Sequence, residues 1–481
     1  MENKHSIKKN YILNLAYQIL AVCVPIVTTP YVSRTLQADG IGAYSYTLSI
    51  ATYFSMFAAL GISTYGQLSI AKNRNDKRLC SELFCEIMVA RLVTTALILI
   101  LYRLLLPVLG TYPILYKVMA ILIIAEAMDI SWFFQGLEEF KITVTRNCII
   151  KLLSTACIFA FVRNKNDLIL YAIILQGSTL LGNVLLWPYL KRYLVRVCVK
   201  GHKFYKHWKE SLVYFIPTVA TSVYTVLDKS MIGLFTKSSL ENGYYEQAHK
   251  IEQILLVFLT SLGTVTLPRL VYVWNHGDKE MLNRIMRKTV NFILMVSFPM
   301  MFGICAIADK FIPFFLGDGY EPCISLLRIF SILLVVVGLD NTIGKQCLVA
   351  TGRQNLFNRG VIAGAGVNFL FNILLIKKMG SLGAACGSVV AECTILMIFL
   401  YYSRDIFDSR VLVRSCIRYA LTSILMSGFV WLIGRYTAIS LWGITVQVLF
   451  GGMFYLIELL LIKDPILKLV VFEVKKRIRH Q

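Results

Sequence analysis

Long apolar runs, each about 20 residues, follow one another along the whole chain with short polar stretches between them. A run of that length is what an α-helix needs to cross about 30 Å of hydrocarbon. The runs are continuous and rich in Leu, Ile and Val; they do not alternate, which argues against strands. The pattern predicts an all-α polytopic membrane protein of about fourteen transmembrane helices. Their expected spans are 11–34, 41–66, 83–106, 114–136, 144–163, 168–190, 211–235, 244–268, 288–312, 323–346, 356–377, 382–402, 412–434 and 441–462.

The apolar pattern is interrupted most strongly between Tyr214 and Glu252, which carries Asp228, Lys229, Glu246, His249, Lys250 and Glu252. A charge near the bilayer centre costs about 2.5–3.5 kcal/mol on insertion scales, so such residues face protein or a wet cavity. At helical spacing Tyr214, Thr218, Thr221, Thr225 and Asp228 form one polar stripe. Tyr245, His249 and Glu252 form a second, with Glu246, Lys250 and Gln253 beside it. Two polar stripes on consecutive helices predict a shared hydrophilic path.

Charge then orients the chain. The net charge of +22 comes from basic residues concentrated in alternate short loops. Lys72, Arg74, Lys77 and Arg78 lie in one; Lys141 and Arg146, Lys191 to Lys209, Lys279 to Lys288, Arg353 and Arg359, Arg404 to Arg414, and the Lys475-Lys476-Arg477 tail lie in the others. This is the positive-inside distribution and places both termini in the cytoplasm. It also explains the charge without nucleic acid. Lys4, Lys8 and Lys9 lead straight into a full-length span, so no cleavable signal peptide is expected. The 12 cysteines contain no C-x-x-C pair, which argues against a zinc site or a disulfide framework. Gly344-Lys345 lacks the rest of a nucleotide-binding loop, so no ATP hydrolysis is expected of this chain.

The chain repeats itself. The stripe of the seventh expected helix has a counterpart in Asn14, Gln18, Ala21, Pro25 and Thr28. Gly42, Tyr44 and Ile50 match Gly243, Tyr245 and Ile251, and Leu60-Gly61 matches Leu262-Gly263. The match predicts two six-helix lobes related by a parallel internal repeat, with two C-terminal helices outside it. The divisions expected are an N-lobe at 1–195, a basic cytoplasmic linker at 196–210 lying against anionic headgroups, a C-lobe at 211–405, and the last two helices and tail at 406–481.

Several segments together carry a family resemblance. They are Pro30-Tyr31-Val32-Ser33-Arg34-Thr35-Leu36 with Gly40-Ile41-Gly42-Ala43-Tyr44-Ser45; Trp132-Phe133-Phe134-Gln135-Gly136-Leu137-Glu138-Glu139-Phe140-Lys141; Val226 to Gly233 with Gly243-Tyr244-Tyr245; and Leu348 to Gly352 and Gly383-Ala384-Ala385 with Glu392. In this order the chain resembles the bacterial polysaccharide (O-antigen-type) flippases of the multidrug/oligosaccharidyl-lipid/polysaccharide exporter superfamily. The resemblance implies an inner-membrane carrier that moves undecaprenyl-pyrophosphate-linked oligosaccharide outward by alternating access. Its partners would be that substrate, membrane lipids and the polymerase and chain-length machinery. Where the family often has Arg after the helix 7 Asp, this chain has Lys229, which binds phosphate without a bidentate fork.

Such a substrate needs cations for pyrophosphate and hydroxyl or aromatic groups for sugar. On that reading Arg34, Lys229 and Lys250 meet the pyrophosphate beside Asp228, and Tyr44, Ser45, Ser49, Thr52 and Tyr245 meet the glycan. Lys250 has a competing partner, Glu246, one turn earlier. Arg91, Glu126 and Asp129 form either an internal ion pair or part of a path for substrate or protons. Arg328 reads as a structural or interfacial charge, and His249 as a pH-sensitive group or a hydrogen-bonded bystander. Trp132, Gln135, Gly136 and Glu138 fit an interfacial belt and loop cap as well as a gate. No cofactor or metal is expected. Asp228, Glu252 or His249 are the groups through which proton or sodium coupling would run. A multidrug or cation antiporter and a lipid II flippase are the alternative transporters. A membrane glycosyltransferase or polymerase would need a larger outer loop than any here.

Overall fold

The computed structural model describes the backbone of 3–197, 204–406, 409–469 and 472. The side chains of 3–16, 204, 216–225, 261–266, 268 and 409–411 lie outside that description. So do the side chains of Asn14, Thr218, Thr221 and Thr225 and the basic tail at 475–477. The described elements are all helical. Ten stretches among the described residues are long and apolar enough to cross a membrane, which makes this a multi-pass membrane protein.

The chain divides into two compact units, Met1–Gly243 and Tyr244–Gln481. The first holds α1 (Asn3–Ala59), α2 (Ile62–Asn73), α3 (Lys77–Leu105), α4 (Pro113–Met128), α5 (Ser131–Gly136), α6 (Phe140–Phe161), α7 (Leu168–Val184), α8 (Phe204–Thr236) and the start of α9 (Ser239–Asn275). The second holds the rest of α9, α10 (Lys279–Leu316), α11 (Pro322–Asp340), a π-helical segment Asn341–Val349, α12 (Gln354–Met379), α13 (Ser381–Ser403), α14 (Ser409–Tyr436) and α15 (Leu441–Leu461).

The structure departs from the expected spans at four places. The 57 residues of α1 join two expected helices across a break at Gln37, whose φ of 59° and ψ of 172° are not helical. The expected 41–66 helix stops at Ala59, turns through Leu60 and Gly61 (φ 45° and 71°), and resumes as α2. A Cβ on Gly61 would sit 2.6 Å from Phe215 N and Ser211 O, so glycine there lets α8 lie against the turn. The expected 114–136 helix breaks at Asp129-Ile130 into α4 and α5. Finally, α8 begins at Phe204, seven residues before its expected start, so part of the supposed linker is helix.

Apolar helices gain little from leaving lipid for one another; close backbone approach and packing hold them together. A close backbone approach in the first unit joins the second arm of α1 to the start of α9. A Cβ on Gly42 would lie 1.7 Å from Ser239 O, and one on Gly243 would lie 1.9 Å from Ala38 O. The two contacts are reciprocal: Ala38 and Gly42 are each 201 positions before Ser239 and Gly243. The joints that precede them, at Gln37 and Lys237, both have positive φ (59° and 53°). Farther on, α9 stays helical through Leu262-Gly263, whereas α1 stops at Ala59.

Candidate translocation site

In the first unit the polar groups meet where α8 lies along α1. Ser230 is buried and its hydroxyl lies 3.1 Å from both Ser49 Oγ and Tyr53 OH. Asp228 precedes it, buried at 6% exposure, with Lys229 half-buried between them. Ser45 is buried, and Arg34 is exposed on the first arm of α1. Tyr44 is held by α7: Gln176 Nε2 donates to its hydroxyl at 2.9 Å and Tyr171 packs edge-on at 5.1 Å. Thr52 turns back onto its own helix, donating to Leu48 O at 2.7 Å.

In the second unit the stripe of α9 enters the protein. Tyr245, buried, stacks on His249 at 5.8 Å, and Phe330 of α11 packs edge-on against both. Glu252 is 2% exposed and accepts from Gln253 Nε2 at 3.1 Å, with His249 Nε2 3.9 Å from the same oxygen. Lys250 pairs with Glu246 at 3.3 Å, the competing arrangement the spacing allows. Glu392 of α13 acts electrostatically on both Glu252 of α9 and Asp340 of α11. Asp340 was missed by the sequence reading; its signal was a lone acid inside an apolar run. Arg328 joins α11 to α10 through Asp309 at 2.6 Å, with both side chains partly exposed.

The break between α4 and α5 explains Arg91. A broken helix leaves carbonyls without intrahelical donors. Here three carbonyls of the last turn accept from side chains: Arg91 Nε donates to Glu126 O at 2.7 Å, Asn183 Nδ2 to Ala125 O at 2.8 Å and Trp187 Nε1 to Met128 O at 3.0 Å. Arg91 is fully buried and also bonds Glu126 Oε1 at 2.5 Å, with Asp129 Oδ2 4.0 Å away. Asp129 Oδ1 in turn accepts from Ser131 N at 2.9 Å and starts α5. One cation thus satisfies a carbonyl and its neighbouring carboxylates.

The Trp132 motif is a packing element. Trp132, Phe133 and Phe134 are all buried, and Trp132 stacks on Phe84 at 5.6 Å. Gly66 and Gly136 leave room for α2 and α5 to close on each other. Buried in this way, Trp132 is not an interfacial belt residue. Gln135 O accepts from Glu138 N at 3.1 Å, and Glu138, at φ 64°, pairs with Arg74 at 2.6 Å and ties α5 to the α2–α3 turn.

A buried polar chain at the start of α8 had no counterpart in the sequence reading. Tyr65 OH donates to Glu210 Oε2 at 2.6 Å and meets His207 Nδ1 at 2.7 Å, while His207 Nε2 lies 2.9 Å from Glu86 Oε2. Trp208 Nε1 donates to Ala90 O at 3.1 Å. These bonds fix the early start of α8 against α2 and α3. His207→Ala would leave the buried Glu86 carboxylate without its imidazole partner, at a cost of about 1–3 kcal/mol. The expected result is a lower midpoint of chemical unfolding in detergent, with Asp309→Ala, which removes a partly exposed pair, shifting it far less.

Apolar surface accompanies these polar groups. A groove of about 520 Å³ lies between α10, α14 and α15, lined by Met295, Pro299, Met300, Met426, Val448 and Gly452 among others.

Comparison with known proteins agrees with these features. The family model described as "Polysaccharide biosynthesis protein" matches residues 7–274, and the one described as "Lipid II flippase MurJ" matches 152–450. The chain is similar to the "Putative O-antigen transporter" of Escherichia coli (strain K12), 22% identical over 84% of this chain and 98% of that protein. It is also similar to the "Capsular polysaccharide biosynthesis protein CapF" of Staphylococcus aureus, 22% identical over 83% of this chain and 100% of that one. Among solved structures, lipid II flippase MurJ in an inward closed conformation has the same fold: TM-score 0.71, 16% identity, 95% of this chain and 99% of that one. With a family model covering more than half of its length, this chain belongs to the polysaccharide biosynthesis protein family, as its motifs led one to expect.

Proposed function

We propose that this protein carries undecaprenyl-pyrophosphate-linked oligosaccharide across the bacterial cytoplasmic membrane by alternating access, for assembly of O-antigen, capsule or exopolysaccharide. The observation that carries the reading is the pairing, in one chain of this family, of buried polar and charged side chains on α8 and α9 with an apolar groove between α10, α14 and α15. The substrate has the same two halves. Lys229, Arg34 and Lys250 take the pyrophosphate beside Asp228, with Lys250 exchanging Glu246 for phosphate. Tyr44, Ser45, Ser49 and Tyr245 take sugar, and the groove between α10, α14 and α15 takes the polyprenyl tail. Fourteen spans in two parallel six-helix lobes, 1–195 and 211–405, with both termini cytoplasmic, suit this cycle. The reciprocal Gly42 and Gly243 contacts support the repeat.

Three carboxyl groups that repel one another when ionised form a place for protons or sodium to bind and drive the cycle. Glu252, Asp340 and Glu392, with His249 beside them, are the coupling groups in this reading. Arg91, Glu126, Asp129 and Arg328 are structural charges. Lipid II transport is the second reading, favoured by the likeness in fold to the lipid II flippase.

Proteoliposomes loaded with either lipid separate the two. An impermeant glycosidase should reach inner-leaflet lipid-linked oligosaccharide as wild-type protein flips it, and lipid II should stay protected. A charged hydrogen bond contributes about 1.5–3 kcal/mol, so Lys229→Ala should slow flipping by about tenfold or more. Lys229→Arg should retain it, and Asp228→Ala should abolish it. Wild-type rates in both alanine variants would remove the pair from the mechanism, and flipping of lipid II alone would replace the substrate.

A further inference from the structure

A second polar site lies in the first unit, at the far end from the basic α2–α3 turn. The helix α3 runs 29 residues from that turn, about 43 Å at 1.5 Å per residue, to the 106–112 connection. There the connection meets the turn between α8 and α9 around a cavity of about 550 Å³, a size typical of small-molecule sites. Tyr46, Thr111, Tyr112, Lys237, Ser239 and Asn242 line it.

Two features make this a built site. Asn242 is fully buried, and neither its amide oxygen nor its nitrogen has a hydrogen-bond partner among the described residues. A buried amide left in that state is costly, and a ligand that both donates and accepts would satisfy it. Tyr46 is fixed beside it because residue 233 is glycine: a Cβ there would lie 2.2 Å from the ring. The lining chemistry selects the ligand class. Aromatic rings, hydroxyls and an amide recognise the faces and edges of a sugar, whereas a single lysine is poor provision for a diphosphate. By the positive-inside distribution this end faces the outer aqueous side.

We propose that this cavity is an outer-face subsite for the neutral sugars of the transported glycan, holding them as the lipid-linked product leaves. The inference rests on the flippase reading above. Sugars bound here would keep a flipped glycan from returning, so the site would bias the cycle outward.

The test uses the purified full-length protein in nanodiscs. Its probe is the lipid-free, phosphate-free repeat-unit oligosaccharide, released from the host's lipid-linked pool by mild acid and phosphatase treatment. Calorimetric titration should show binding to wild type, and about a tenfold or greater loss in Asn242→Leu and in Tyr112→Ala. Asn242→Leu replaces an unpaired buried amide with an apolar group, so its thermal stability should match or exceed wild type. That stability readout separates lost recognition from lost folding. Unchanged affinity in Asn242→Leu, no binding to wild type, or binding of inorganic pyrophosphate in place of the oligosaccharide would overturn the proposal. Flipping measured in parallel keeps the two readings apart: normal wild-type flipping with any of those results removes the subsite alone, and absent flipping removes the transport reading.

Discussion

Arg91→Ala is expected to destabilise the protein by about 3–5 kcal/mol, the cost of leaving buried charge without its partner. The loss has two parts. The Glu126 carboxylate is left facing Asp129, and the Glu126 carbonyl loses its shorter bond and keeps the 3.3 Å one from Asp129 N. Arg91→Lys should recover only part of the stability, because one ammonium lacks the fork that reaches both oxygens. Chemical unfolding in detergent, followed by intrinsic fluorescence, measures the effect. A midpoint for Arg91→Ala equal to wild type would mean that the α4–α5 break is held by Asn183 and Trp187 without it.

The second large effect is steric. Gly42→Ala and Gly243→Ala each place a carbon under 2 Å from a main-chain oxygen of the facing helix. Backbone cannot swing aside as a side chain can, so the helices must part. Overpacking typically costs about 1–3 kcal/mol, and these clashes belong at the top of that range. Away from such a contact, Gly→Ala within a helix would instead stabilise by about 0.8–1 kcal/mol. The reciprocal geometry predicts that the two substitutions act alike on stability and on transport. Gly366→Ala, which meets open space within α12, is the control and should be neutral or stabilising. Wild-type behaviour of either Gly42→Ala or Gly243→Ala would break the symmetry argument.

These two sites also show what was legible in the sequence. Span-length apolar runs and the polar stripe of α9 are periodic features, and these can be read from residue types alone. The breaks could not be read in this way. Leu60-Gly61 and Asp129-Ile130 sit inside apolar runs, and the chain turns there because Ser211 and Phe215, or Arg91, Asn183 and Trp187, arrive from elsewhere. The start of α8 was misplaced for the same reason. His207, Trp208 and Glu210 look like a basic surface stretch until Tyr65, Glu86 and Ala90 supply their partners. Within the candidate site, Asp228, Lys229, His249 and Glu252 stood out as charges in apolar sequence. Asp340 was equally visible but fell outside the matched segments, and its proximity to Glu392 is a property of packing alone.

The most direct test of the transport account is made in a strain lacking this gene. Lipid-linked oligosaccharides are extracted, their sidedness is determined with a membrane-impermeant glycosidase, and surface polysaccharide is quantified. The account predicts a complete repeat unit accumulating on the inner leaflet with surface polymer lost, both restored by the wild-type gene and not by Asp228→Ala. Normal surface polymer with no trapped intermediate would contradict it.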